Sequence, residues 1–502
     1  MARLVIRDSP SRPLSDYNVL DFENLPSGYR GLIVEPGYIP KDLNEVDLST
    51  PLTRYRPGET EPKIKLKIPI MSAAMQSVSG YRMGIALARM GGIAVIYQSQ
   101  TIENQARQVK NVKRQKGAFI EPEVMAPHVT LSKLVENMKE TGFTKYFVTE
   151  NGNQHGVLLG VITDSDFDEK IHESLTVRDR MRPKESLEFV YDDEIGYDVQ
   201  KANRRVLESH HSAMPVIYRD DRLRDVVFRK AIRAHRQYEN ELTDEGKKLM
   251  VAAAVNTRDY TERVPALVEA GVDVLVIDTS QGHTDFVYDT AKYIRTNFSK
   301  IPLIGGNVVT KDGFKFLVEK CEVDAVKGGM GIGSICITPD QIGIAKGQDK
   351  AIEDVASARD EHLARTGWYY PFIADGGVHS VRDMNVGLSL GADVLMLGKF
   401  LAGVDESPQA IEYKHSPPRK PYWGEGSARA RQWRENRGYN ESFDEGVTIT
   451  VSYVGPLEPY LGTALKQLRD GIRKAGSRNI QGHHKNSVIT TISEEDAKPA
   501  SG

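Results

Sequence analysis

Cys336 is one of two cysteines in the chain, and it sits in GGMGIGSICIT, residues 328–338. Gly328, Gly329, Gly331 and Gly333 precede it. Glycine permits backbone conformations closed to other residues and lets main-chain groups approach a ligand closely. A lone thiol is most often a small buried hydrophobe, and Cys321, in the helix-like LVEKCEVD, reads that way. Cys336 differs because its neighbours build a loop. A thiolate is a strong nucleophile even when only a small fraction is ionised. The pattern predicts a nucleophilic cysteine on a glycine-built loop.

Two carboxylates and a lysine carry the next candidates. Asp278 ends VDVLVIDTS (272–280) and Asp375 lies in PFIADGG (371–377). A carboxylate at the end of a strand can accept two sugar hydroxyls; the structural alternative is a cap for the following helix. The segments ADGG (374–377) and LGK (397–399) place Gly376, Gly377 and Gly398 at the ends of two consecutive strands, with Lys399 alongside. Their N–H groups can reach phosphate oxygens. One such pair would read as a turn; two predict a phosphate site. Lys327 is the lysine that Schiff-base chemistry would use, a reading ranked below the cysteine. No GxGxxG follows a strand, so a dinucleotide would not be held by a Rossmann unit.

These residues need elements to place them. Eight short apolar runs recur: KIPIMSA (67–73), IAVIYQS (93–99), MVAAAV (250–255), VDVLVIDTS (272–280), IPLIGGN (301–307), VDAVKGG (323–329), PFIADGG (371–377) and ADVLMLGK (392–399). Apolar runs without alternation suit a parallel sheet buried on both faces. Helix-like stretches between them, such as YTERVPALVEAG and SVRDMNVGLSLG, end in glycine. The count predicts an α/β fold, a (β/α)8 TIM barrel, with an open doubly wound sheet as the alternative. Barrel chemistry lies at the C-terminal ends of the strands, where Cys336 and both carboxylates fall.

Roughly 150 residues separate the second run from the third, too many for a βα loop. Within them FVTENGNQHGVLLGVITDSDF (147–167) is echoed by MPVIYRDDRLRDVVFRKAI (214–232). Each half reads as strand, polar turn, strand and helix start, preceded by helical stretches at 131–141 and 194–209. The expected division is barrel over 1–104, an inserted two-repeat domain over 105–235, barrel again over 236–476, and a polar tail over 477–502, mobile in isolation.

Composition excludes several classes. With 66 Lys+Arg against 69 Asp+Glu in 502 residues, the net charge of −3 exerts no general pull on nucleic acid or an anionic membrane. No apolar run reaches the roughly 18 residues of a membrane span. The start, MARLVIRDSPSRP, lacks the apolar stretch of a secretory signal. Two cysteines make no disulfide framework, and no CxxC or His/Cys cluster suggests zinc. A reducing, cytoplasmic setting is expected.

GGMGIGSICIT, with MSAAMQSVSG (71–80), NTRDY (256–260), IADGG (373–377), LMLGK (395–399) and YWGEGS (422–427), resembles the inosine-5′-monophosphate (IMP) dehydrogenase and GMP reductase family over about residues 15–475. The insertion resembles that family's paired CBS (cystathionine-β-synthase) domain. The resemblance implies NAD-dependent oxidation of IMP to XMP in guanine nucleotide biosynthesis. Cys336 would attack C2 of the purine, hydride would pass to NAD, and water would hydrolyse the thioimidate. Thr338 would help position that water. Ser334, Gly376, Gly377, Gly398, Lys399 and Tyr422 would meet the IMP phosphate, and Asp375 the ribose. Ser72 and Met75 would line the nucleotide pocket. Gly424, Glu425 and Gly426, with Glu445, would approach the hypoxanthine edge. Asp278, Thr279 and Ser280 would take the nicotinamide ribose, with Arg258 and Asn307 nearby. Carbonyls of Gly331, Gly333 and Cys336 would ligate a monovalent cation, potassium. A homotetramer and a purine nucleotide at the CBS pair are further implications.

Two segments depart from the family pattern. Its dehydrogenases carry an adjacent Arg-Tyr pair in a flap, the arginine activating water, an unusual role for so basic a group. The matching segment, SARARQWRENRGYNESFDEG (427–446), holds no such pair. Glu435 falls at the arginine's place, Arg434 lies beside it, and Arg437 and Tyr439 form an interrupted version that would supply the role. The segment's length is nearer that of GMP reductases, which use NADPH to deaminate GMP to IMP. Thr338 and Glu445 are shared by both activities, whereas YWGEGS and MSAAMQSVSG favour the dehydrogenase. The tail ISEEDAKP offers Glu494 and Glu495 but not the Glu-Gly-Gly that completes a neighbour's cation site. A non-catalytic nucleotide-sensing scaffold is the alternative outside enzymology.

Overall fold

The computed structural model describes the chain except residues 1–2, 6–11, 14–28, 30, 117–118, 142, 169–170, 173, 197, 210, 230–239, 431–445 and 492–502. Eight parallel strands close into a barrel: β1 (Ile70–Ser72), β2 (Ile93–Ile96), β3 (Ala252–Val255), β4 (Val274–Asp278), β5 (Leu303–Gly306), β6 (Ala325–Gly328), β7 (Phe372–Asp375) and β8 (Val394–Leu397). Each lies inside one of the eight predicted runs. The open-sheet alternative fails because β8 pairs with β1, Met396 opposite Met71, and seals the edge. All residues of β2, β3, β5, β6 and β8 are buried, which is what burial on both faces requires.

The connecting helices carry their own start signals. Thr284 accepts a hydrogen bond from the Val287 N–H at the start of Asp285–Asn297, and Thr310 does the same with Gly313 before Lys311–Glu319. Ser380 and Asp383 form a reciprocal capping box at the start of Val381–Leu390. These caps stop each helix short of the strand ends and leave the βα loops free for the site.

Two compact units form, one from residues 1–112 with 250–502 and one from 113–249. The helix Ile102–Lys113 runs unbroken through position 104/105, where the sequence placed the boundary. On the return, the Leu249 N–H donates to the Gln115 carbonyl (2.8 Å) and Lys113 pairs with Asp244 (2.8 Å), so residues past 235 stay with the inserted unit.

The inserted unit repeats itself as expected. Lys145–Thr149 and Leu158–Thr163 form an antiparallel hairpin whose register shifts at Val148/Thr149. Ala213–Ile217 and Leu223–Phe228 form another, shifted at Val216/Ile217. Helices Leu131–Thr141 and Val199–Glu208 belong to the two halves. Phe147, Leu158 and Val161 of one hairpin and Ile217, Leu223 and Val226 of the other share one apolar cluster, so the halves bury their hairpins against each other.

The segment after 476 differs from the mobile tail expected. Asn479 caps the helix Ile480–Asn486, and Val488–Thr491 pairs antiparallel with Leu32–Val34. Polar composition misled because the two histidines are buried acceptors and donors. His484 Nε2 lies 2.9 Å from the Ala392 carbonyl, and His483 contacts Ser487 Oγ (2.7 Å) and the Asn385 carbonyl (3.4 Å). Below the barrel's N-terminal end, Asp393 accepts from the Arg359 guanidinium (2.9 Å), the Phe372 N–H (2.9 Å) and Tyr369 Oη (2.6 Å). Arg359 also donates to the Gly391 carbonyl at 2.7 Å.

Burial lowers the pKa of His483 to about 4, with His484 as a like-charge neighbour, and of His484 to about 3, with Arg359 as a like-charge neighbour and the Ala392 carbonyl and Asp360 opposing. A depressed histidine contributes stability above its unfolded value, about 6.5, and loses it as pH falls toward the folded value. We expect the 477–491 segment to stay docked at pH 7 and to release progressively between about pH 6.5 and pH 4. Hydrogen exchange of residues 480–491 measures this; protection unchanged down to pH 4 would refute it.

Candidate active site

The C-terminal ends of all eight strands open into one cavity of about 820 Å³. Ala73–Met75 follow β1, Gln98 and Ser99 follow β2, and Asn256–Arg258 follow β3. Asp278–Gln281 close β4 and Asn307 follows β5. The loop after β6 contributes Gly329–Cys336, and Asp375–His379 and Gly398–Lys399 come from β7 and β8.

Cys336 is partly exposed on this wall, whereas Cys321 is buried and its thiol is pushed up to about 12 by burial. Cys336 Sγ lies 3.3 Å from Thr338 Oγ1. Its N–H donates to the Gly333 carbonyl (2.9 Å), so the loop turns back on itself. The Val447 N–H donates to the Ile335 carbonyl at 3.0 Å, which ties the loop to the strand Thr448–Ser452 and its partner Arg419–Trp423. Gly329 shows why glycine is needed: its φ is +147°, and a Cβ there would lie 2.0 Å from the Asp375 carbonyl oxygen.

The residues predicted for phosphate gather at one end. Tyr422 Oη is within hydrogen-bonding reach of the Ser334 hydroxyl and the Lys399 N–H, and burial pushes its phenol well above the usual tyrosine range. A Cβ on Gly398 would meet Tyr422 Oη at 2.8 Å, so the close approach depends on glycine there. Gly376 and Gly377 both have positive φ, +96° and +78°. This cluster offers two hydroxyls, main-chain N–H groups and the Lys399 ammonium to a phosphate.

The two carboxylates meet a buried cation. Lys327, wholly buried in β6, donates from Nζ to Asp278 Oδ1 (2.7 Å), Asp375 Oδ2 (2.8 Å) and Asn307 Oδ1. Burial opposes its charge, but Asp278 and Asp375 outweigh burial and hold the ammonium above the ordinary lysine range. A Schiff base needs the free amine, so the Schiff-base reading of Lys327 fails. Asn307 Nδ2 donates to Asp375 Oδ2 (3.0 Å) and to the Gly329 carbonyl (2.8 Å).

Of the other residues singled out, Met75, Arg258, Thr279, Ser280, Gly331, Gly333, Gly424, Glu425 and Gly426 also line the cavity. Thr279 Oγ1 is tied to the Gly306 carbonyl at 2.7 Å. The Glu425 carboxylate accepts from the Gln76 N–H (2.6 Å) and from Ser99 Oγ, which anchors it to the ends of β1 and β2. Ser72 does not reach the cavity: it is fully buried and its hydroxyl lies 2.6 Å from Ser79 Oγ, where it shapes the turn after β1. Arg437, Tyr439 and Glu445 lie outside the described residues. Sequence reading missed Lys327 as a charge partner and Gln98, Ser99 and Asn256 as lining groups; their positions at strand ends were the available signal.

Of the three carbonyls expected to ligate a cation, that of Gly333 accepts from the Cys336 N–H at 2.9 Å. Those of Gly331 and Cys336 accept no main-chain hydrogen bond among the described residues. Nor do the described residues group three or more His, Cys, Asp or Glu side chains as a divalent metal would want.

Residues 27–500 match the family model of the IMP dehydrogenase / GMP reductase domain. The inosine-5′-monophosphate dehydrogenase of Tritrichomonas foetus is 39% identical over 456 residues, 90% of each chain. That of Aquifex aeolicus is 34% identical over 468 residues, covering 90% of this chain and 89% of its own. A solved structure of GMP reductase from Trypanosoma brucei with guanosine 5′-monophosphate superposes with a TM-score of 0.78 at 27% identity, over 96% of this chain and 99% of its own. A closed barrel whose rim brings together a glycine-loop cysteine and two carboxylates, with these matches, means that the chain belongs to the IMP dehydrogenase / GMP reductase family.

Proposed function

We propose that this protein is an IMP dehydrogenase, oxidising IMP to XMP with NAD. The carrying observation is that the Cys336–Thr338 pair shares one cavity with the phosphate cluster and both carboxylates. Ser334, Gly376, Gly377, Gly398, Lys399 and Tyr422 hold the phosphate, with the neutral Tyr422 phenol as a donor. Asp375 accepts from the ribose of IMP, and Met75 packs beside the nucleotide. Gly424, Glu425 and Gly426, together with Glu445, meet the base edge. Asp278, Thr279 and Ser280 take the nicotinamide ribose, flanked by Arg258 and Asn307. Ser72 supports the pocket from behind.

The chemistry follows from the thiol. Cys336 Sγ adds to C2 of the purine and holds it as a tetrahedral adduct. When bound, NAD accepts the C2 hydrogen as hydride, leaving the purine joined to Cys336 as a thioimidate. Water adds to C2, positioned by Thr338 and deprotonated by a group of the 431–445 segment, for which Arg437 with Tyr439 are our candidates. The thiolate then leaves and XMP is released. Carbonyls of Gly331, Gly333 and Cys336 would hold potassium, which would supply a fixed positive charge to the loop that carries the thiol. A homotetramer, a purine nucleotide on the inserted repeats and a cytoplasmic setting complete the proposal. No described helix is long and apolar enough to cross a membrane.

The second reading, GMP reductase, is favoured by the Trypanosoma brucei likeness and the missing Arg-Tyr pair. Nicotinamide absorbance separates the two. With potassium present, NADH should form from IMP and NAD, while NADPH should persist beside GMP; the reverse would establish the reductase.

Replacing Cys336 by alanine should lower kcat on the order of 10⁴-fold or more without loss of folding. Acid-quenched turnover should show a purine nucleotide adduct on Cys336 by mass spectrometry, and an adduct elsewhere, or none, would exclude the thioimidate route.

Arg437→Ala should slow release of XMP by about 10²–10⁴-fold while leaving the hydride burst within about threefold, as expected for loss of a general base. Equal slowing of both phases, read by stopped flow, would remove Arg437 from that role.

A further inference from the structure

We infer that Lys327 is a positioning residue that joins the cofactor-ribose and substrate-ribose carboxylates into one charge cluster and keeps both ionised for the two sugars. The inference rests on the dehydrogenase reading for the identity of those sugars.

Asp278 ends β4 and Asp375 ends β7, so nothing in the local chain brings them together. Lys327 does so from β6, taking Oδ1 of Asp278 at 2.7 Å and Oδ2 of Asp375 at 2.8 Å. Lys327 is 0% exposed, while the two aspartate side chains are 21% and 22% exposed on the cavity wall. Each carboxylate thus spends one oxygen on the ammonium. The other oxygen of each is available to a vicinal diol, which offers two O–H donors. Asn307 completes the cluster, its carbonyl on Lys327 and its amide on Asp375.

Without the ammonium, two carboxylates would share a partly buried site and one would take a proton. A protonated Asp375 is a poorer acceptor for the diol. Lys327 therefore contributes to IMP binding without touching IMP, and it couples the two subsites through a single buried charge. The other titratable groups on the cavity wall are Cys336, Arg258, His379, Lys399, Glu425 and Tyr422, and Tyr422 senses Asp375. Lys327 forms the ion pairs with both aspartates, at 2.7 Å to Asp278 and 2.8 Å to Asp375.

The test measures IMP dissociation constants by tryptophan fluorescence, without NAD, from pH 5.5 to 8.5, in wild type, Lys327→Met and Lys327→Arg. Taking the ratio to wild type cancels titration of the nucleotide's own phosphate. We expect the Lys327→Met ratio to be about tenfold or more at pH 6 and to fall as pH rises, because ionisation of Asp375 restores the acceptor. Lys327→Arg should stay within about threefold with no slope. A Lys327→Met ratio near one, or one constant across pH, would overturn the inference and leave Lys327 a packing residue.

If Lys327→Met loses its cooperative thermal transition, a crystal structure of wild type with IMP carries the test. Lys327 Nζ should remain on both carboxylates while the ribose diol binds the remaining oxygen of Asp375. Nζ bound to the nucleotide, or a diol away from Asp375, would overturn it. Wild type that binds no IMP in either experiment would overturn the dehydrogenase reading itself, which distinguishes the two failures.

Discussion

A closed parallel sheet covered on both faces has no place for polar side chains except near the ends of its strands. The placement of the candidate site follows from that constraint. The strand interiors are spent on apolar packing, and chemistry is confined to the eight loops at one end. The few charges that enter the barrel must bring their partners with them, since an isolated buried ion is strongly disfavoured.

Two such charge clusters sit at opposite ends and illustrate different uses of the same physics. Arg359 and Asp393, at the N-terminal end, are satisfied within the protein: Asp393 accepts from Arg359, Tyr369 and the Phe372 N–H. That cluster closes the floor of the barrel and, with His484 beside it on the Ala392 carbonyl, gives the C-terminal segment a place to dock. Lys327, at the other end, leaves its carboxylates half-used on the cavity wall. A floor cluster with its bonds made inside the protein reads as stability, and a rim cluster with acceptor capacity to spare reads as recognition.

The cysteine loop extends the same logic to the backbone. Gly329 passes so close to the Asp375 main chain that a side chain has no room, which brings the start of the cysteine loop against the end of β7. The Gly333 carbonyl accepts from the Cys336 N–H, and the Val447 N–H donates to the Ile335 carbonyl, which holds the loop beside the thiol. The thiol and its hydroxyl neighbour sit on a loop held by backbone hydrogen bonds and glycine conformations.

Much of this was legible from sequence because it depends on short-range patterns. Eight uninterrupted apolar runs determined the strands, glycines and caps determined where helices start and stop, and the repeated hairpin pattern determined the inserted unit. The glycine-flanked Cys336 declared itself by rarity and context. What tertiary structure alone decided involves contacts between residues far apart in the chain. The ion pairs of Lys327 with Asp278 and Asp375 span separations of 49 and 48 residues, and local sequence carries no trace of which charges will meet. The same holds for Glu425 turning onto Gln76 and Ser99, for Ser72 turning inward, and for the polar 477–491 segment, whose histidines become buried partners only because carbonyls of the barrel floor await them. Periodicity records which face of an element is buried; it does not record what that face is buried against.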